Sequence, residues 1–211
     1  LNTSVLALRS LIPGFSAPPN FDKLGDIDFS GRFDGYFQDF VAYGNVNTAI
    51  GSGKMDMRLD LKNGVEKAAY SGAIELKDFD LGVWSGNDEL GKFTFTANVK
   101  NGYGLREETA SADLAARIKY LEFKGYTYRN INFDGKLNSS LLDGALTLND
   151  KYLDFGFNGT LDFSDSLVQV DFALDLDTIE LKPLSLSERQ LTLAANMRIR
   201  GKGRNFDDAV G

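Results

Sequence analysis

The residues best able to do chemistry are carboxylates. Asp26 and Asp28 come early, and Asp171, Asp175 and Asp177 come late. Converging at short range, such groups would make a glycosidase acid pair or a calcium site. Spaced two apart along an extended chain, they fall instead on one side of a strand and keep that side wet. Cysteine and histidine are absent from the 211 residues. Thiolate metal sites, a cysteine nucleophile and Ser-His-Asp or Cys-His catalysis are therefore excluded. Gly102-Tyr103-Gly104 and Gly201-Lys202-Gly203 follow strand-like runs but open no capped helix, so neither reads as a phosphate loop. Asn138-Ser139-Ser140 and Asn158-Gly159-Thr160 match glycosylation sequons by composition alone. A lone loop tryptophan such as Trp84 more often anchors its loop than stacks on a sugar. The sequence predicts no enzyme, no catalytic residue, no metal and no cofactor.

The formal charge of −7 argues against nucleic acid as a partner, and no basic run offers a polybasic membrane patch. No apolar run approaches the roughly 20 residues of a membrane-spanning helix. Leu1 is not an initiator methionine, and Gly211 follows soon after a strand-like segment. Both are expected of an internal piece of a longer protein.

The elements that position these residues are read from hydrophobic period. In Leu146–Leu176 the apolar side chains Leu153, Phe155, Phe157, Leu161 and Phe163 take odd positions. After Ser164-Asp165-Ser166 they move to even ones: Val168, Val170, Phe172, Leu174 and Leu176. A period of two predicts strands with one dry and one wet face, and the phase change at a turn puts both dry faces on one side of a sheet. Gly51–Lys62 alternates in the same way, with Met55, Met57, Leu59 and Leu61 against charged neighbours. Asp34-Gly35 and Asn63-Gly64 read as hairpin turns, and the irregular Phe37–Val41 reads as a bulge or bend. Lys77–Gly91 reads as a crossover with one helical turn, and Thr178–Arg189 as a second crossover. Ala112–Phe123 fits helix or strand, and strand is preferred. Asn2–Ile12 is expected to be a helix, capped by Thr3 or Ser4 and ended by Pro13-Gly14.

The fold expected is all-β: a long curled antiparallel sheet with a hydrophobic interior and one short N-terminal helix. Residues 1–20 would be helix and linker. Residues 21–211 would be one β domain built from two weak repeats, about 24–109 and 126–211. Phe29-Ser30-Gly31-Arg32-Phe33 echoes Phe133-Asp134-Gly135-Lys136-Leu137, and Tyr70–Leu81 echoes Val170–Leu181. Ala97-Asn98-Val99-Lys100 likewise echoes Ala195-Asn196-Met197-Arg198.

Three pieces carry a family resemblance: Ile27–Gly35, then Asp39–Gly44, then Phe79-Asp80-Leu81-Gly82 with Leu90-Gly91. Together they resemble the TamB family, within the wider AsmA-like group, over essentially Leu24–Gly203. The resemblance implies a β-taco, a folded-over sheet with a hydrophobic trough. It also implies a periplasmic segment of a chain anchored in the inner membrane. Its partners would be phospholipid acyl chains, neighbouring segments of the full-length chain, and an outer-membrane barrel beyond this segment. The activity implied is phospholipid movement between the two membranes, assembly of outer-membrane proteins, or both.

A trough of this kind needs an unbroken apolar lining, because each exposed CH₂ of a lipid tail costs about 0.8 kcal/mol. The lining candidates are Phe29, Phe33, Met57, Leu59, Ile74, Phe95, Phe133, Phe155, Phe157, Phe172, Leu174, Leu193 and Met197. The alternative is a structural or adhesive β-repeat whose interior is filled by the same side chains. Raw strand edges would favour edge-to-edge self-association.

Overall fold

The computed structural model describes residues 2–4, 19–36, 38–106, 108–165 and 167–203. Alternation at a period of two dictates nearly all of it. Among the described residues twelve strands form one antiparallel sheet, and their spatial order is their order in the chain. They are β1 (Asn2–Ser4), β2 (Asp26–Tyr36), β3 (Asp39–Thr48), β4 (Gly51–Asp60), β5 (Ala69–Asp80) and β6 (Leu90–Tyr103). The second half is β7 (Ser111–Phe123), β8 (Tyr126–Asn138), β9 (Leu141–Asn149), β10 (Leu153–Asp162), β11 (Val168–Glu180) and β12 (Thr192–Gly203). Each strand pairs only with its sequence neighbours, and β12 does not return to β1, so the sheet is not closed into a barrel. At about 4.8 Å per strand it is roughly 50 Å wide.

Three expectations are corrected. Asn2–Ser4 is strand rather than helix, with Asn2 opposite Asp28 and Ser4 opposite Asp26. Asn, Thr and Ser are weak helix formers, and the edge of β2 offers backbone groups that need partners. The rest of the expected helix, residues 5–12, lies outside the described residues. Asp34-Gly35 is not a turn: Gly35 pairs with Phe40 and Tyr36 with Asp39, so β2 runs two pairs further. Asn63-Gly64 does not close a tight hairpin. It leads into a 3-10 turn, Val65–Lys67, within a wider loop over 61–68.

The helical turn expected in the first crossover is α1 (Leu81–Ser85), the one α-helix among the described residues. The Asp80 carboxylate accepts from the Val83 N–H at 2.9 Å, and Gly86 ends the helix in a left-handed conformation. Ala112–Phe123 is strand throughout. The two crossovers follow matching irregularities: the β5–β6 register shifts between Leu76 and Phe79, and the β11–β12 register between Leu176 and Ile179.

Facing glycines mark places where adjacent strands come unusually close. Gly31 faces Gly44 across β2–β3, and Gly135 faces Gly144 across β8–β9. A Cβ on Gly135 would meet the Asp143 carbonyl oxygen at 2.4 Å, and one on Gly31 would meet the Tyr43 oxygen at 2.2 Å. Only glycine permits that approach. The Phe29 and Phe133 rings lie over these bare pairs, as an aromatic does when it shields strand glycine from water.

Candidate functional site

The dry face is continuous across the sheet. Following ladder partners from β2 to β12, one row runs Phe29, Val46, Gly53, Leu76, Phe95, Ile118, Ile131, Leu148, Phe155, Leu176, Ala195. No charged or polar side chain interrupts it. The next row holds Met55, Ile74, Phe133, Leu146, Phe157, Leu174 and Met197, with Gly31, Gly44, Ala97 and Ala116 as its small members. Phe33, Ala42, Met57, Val99, Leu114, Phe172 and Ile199 belong to a third. Leu59, between Phe40 and Tyr70, and Leu193, opposite Ile179, extend the face toward the two strand ends. All the lining candidates thus stand on one face, because antiparallel pairing aligns equal phases and a period of two keeps them aligned.

Their burial is uneven. Met57 and Phe133 are buried, while Phe29, Leu59, Ile74, Phe95, Phe155, Phe157, Phe172 and Leu174 are half-buried. Phe33 is 60% exposed, Leu193 48% and Met197 39%. Leu184 is the only large side chain fully buried among the described residues. A sheet this wide with a filled interior would bury many large side chains completely. Here aromatic rings contact one another along the face instead. Phe157 and Phe172 have centroids 5.2 Å apart, Phe93 and Phe95 stack at 5.2 Å, and Phe29 lies 5.0 Å from Phe33.

The two crossovers fold back over this face at the same end of the strands, where β5 and β11 finish. Trp84 of α1 meets Phe79 edge-on at 5.6 Å. It also meets Phe21 at 5.2 Å, in the 3-10 turn Pro19–Leu24 that precedes β2, three strands back in the order. The Lys23 ammonium donates to the Trp84 carbonyl at 3.2 Å. The second crossover, residues 181–191, is closed at its neck by the Leu181 N–H donating to the Leu191 carbonyl at 2.9 Å. Its Leu184 joins a buried cluster with Tyr128 and Ile131 of β8 and Leu148 of β9. Sequence reading placed Trp84 as a loop anchor but missed Phe21 and Leu184, since neither lies in an alternating run. Leu184 directly after Lys182-Pro183 was the available signal: an apolar residue placed straight after the proline that ends the strand run.

At the other end, a hollow of about 390 Å³ opens on the dry face between Tyr70, Val99, Ala112, Leu114 and Leu137.

The wet face carries the carboxylates, and several are met by cations or amides. Asp171 bonds Arg200 at 2.7 Å and lies 3.7 Å from Arg198, and the Asp175 carboxylate accepts from the Asn196 amide. Asp39 lies 2.5 Å from Lys62 and 3.5 Å from Arg58. These hydrogen bonds and charges hold Asp39 and Asp171 below the ordinary carboxylate range. No group of three or more Asp or Glu converges as a metal site among the described residues. At the rim, the Tyr126 hydroxyl donates to Asp150. Desolvation first, and then that bond, push the phenol well above its usual range.

No family model, no curated protein and no solved structure matches this chain.

Proposed function

We propose that this chain is a segment of a TamB-like periplasmic protein whose apolar face holds phospholipid acyl chains in transit between the inner and outer membranes. On this reading the sheet curls along its glycine pairs, so that the dry face becomes the inside of a trough. Tails lie against the rows of aliphatic and aromatic side chains, and head groups stay in water. Sliding along the rows needs no acid, base or metal. It needs a lining in which one position is chemically like the next, so that a tail meets no polar barrier.

One observation carries the reading: an unbroken apolar face eleven strands wide, from β2 to β12, with no fully buried large side chain of its own among the described residues, Leu184 belonging to the second crossover. The rows have no second layer of secondary structure to fill them among the described residues. The filled-core alternative lacks this support. The resemblance of Ile27–Gly35, Asp39–Gly44 and Phe79–Gly82 to TamB-like chains supplies the compartment and the inner-membrane anchor.

A second role is favoured by the side of β12 that no described strand pairs with, where Leu193, Met197 and Ile199 are exposed. An extended segment adding there would continue the dry face. It could be a neighbouring segment of the same chain, a second copy or an unfolded outer-membrane strand, and the last corresponds to assembly of outer-membrane proteins.

The test is photocrosslinking of delipidated protein mixed with phospholipid, with the crosslinker at Phe157 or Phe172. Lipid adducts at both positions are expected, with none from a crosslinker at wet-face Asn158. Capture at Asn158 alone, or nowhere, would refute the acyl-chain reading.

A further inference from the structure

Resting on the acyl-chain reading above, we infer that the dry face is strapped shut at one end of its strands and receives lipid from the other. The two ends differ in construction. At the first, α1 and residues 181–191 both leave the plane of the sheet and cross the dry face. Trp84 reaches Phe21, three strands back, and Leu184 buries itself against β8 and β9, at least two strands back from β11. At about 4.8 Å per strand these crossings span roughly 10–14 Å, wider than one lipid tail. Trp84 is held on two aromatic rings and by Lys23, and Leu184 has no exposed surface.

At the second end no connection crosses the face among the described residues. Loop 61–68 docks against residues 104–106 through the Leu105 N–H to the Val65 carbonyl at 2.9 Å and the Gly104 N–H to the Ala68 carbonyl at 2.8 Å. The turn at Ser139-Ser140 is short. The apolar hollow beside Tyr70, Leu114 and Leu137 opens here. Phe163, 48% exposed and in phase with the apolar residues of β10, stands at the same rim.

The consequence is a single orientation for the cargo. Tails enter past the hollow and Phe163 and point toward the straps, and head groups remain at the hairpin rim. The straps close the far side against water and set the depth to which a tail can reach.

The probe is a phosphatidylethanolamine carrying a diazirine on its head group. It is bound to the wild-type chain, photolysed, and mapped by peptide mass spectrometry, with native mass spectrometry of the same sample to count bound lipid. Adducts are expected on peptides containing residues 61–68, 104–110 and 163–165, and none on those containing 81–89 or 181–191. Bound lipid with adducts at the strap end, or equally at both ends, would overturn the inference and leave the acyl-chain reading standing. A bare chain in the native spectrum would remove that reading, and the inference with it. In the double variant Trp84→Ala/Leu184→Ala, retained binding with adducts newly appearing at the strap end is the expected gain. An unchanged adduct map in a lipid-bound double variant would count against the straps.

Discussion

Replacing Gly135 by alanine probes the geometry that brings the strands together. A Cβ there would stand 2.4 Å from the Asp143 carbonyl oxygen, 2.6 Å from the Gly144 Cα and 3.0 Å from Cζ of the Phe133 ring. Ordinary contact begins near 3.4 Å, so the two backbones must separate by close to 1 Å or the ladder must break. Neither obstacle is the flexible end of a side chain, apart from the Phe133 ring, which must also leave the glycines it shields. Overpacking of this kind costs about 1–3 kcal/mol, and backbone obstacles place this case in the upper half of that range. For a chain of this size that lowers Tm by roughly 4–12 °C. Gly156 provides the control, two strands over and on the wet face. Its nearest neighbour would be the Asp175 Cβ at 3.8 Å, so Gly156→Ala should be neutral or stabilise by about 0.5–1 kcal/mol through reduced backbone entropy in the unfolded chain. Urea titrations followed by circular dichroism give both midpoints. Equal midpoints for Gly135→Ala and wild type, with unchanged slope, would refute the close approach at the facing glycines.

Leu184→Ala should cost about 2–5 kcal/mol, the usual range for a buried leucine, and should raise amide exchange in residues 181–191 before the rest of the sheet. Phe172→Asp should abolish lipid capture from a crosslinker at Phe157, its neighbour 5.2 Å away, while the far-ultraviolet dichroism stays that of a sheet. Stability should fall at both extremes of pH. Lys62 and Arg200 depress Asp39 and Asp171 in the folded chain, so their contribution is complete above the ordinary aspartate value of about 3.9 and is lost as pH falls through the lower folded values. Tyr126 is raised in the fold, so its contribution is complete below about pH 10 and is lost as pH rises beyond it. Denaturation midpoints measured across pH would show a plateau with both shoulders, and Tyr126→Phe should flatten the alkaline one.

The alternation of Gly51–Lys62 and Leu146–Leu176 was enough to give strands and the shared apolar face, because a period of two puts every second side chain on the same side. The meander order also follows from short connections between strands of matched phase. What escaped was governed by contacts distant in sequence. Asn2–Ser4 became a strand because the edge of β2 accepts it, not because those residues favour extension. Asp34-Gly35 has turn chemistry, yet its backbone is paired with Phe40 and Val41, and the register of β3 against β4 decided the matter. Phe21 and Leu184 sit in short irregular segments where no period exists to read. The glycine pairs had a visible signal: Gly31, Gly44, Gly135 and Gly144 fall in phase with the apolar residues of their strands. In that phase a missing side chain is a feature of the dry face rather than of a turn.

Whether tails occupy the dry face is read most directly by native mass spectrometry of the delipidated chain after mixing with phosphatidylethanolamine. The expected spectrum shows the chain carrying one or more lipid masses, reduced to the bare chain by Phe172→Asp. A spectrum of bare chain alone for the wild type, under conditions where a known lipid carrier retains its cargo, would contradict the account.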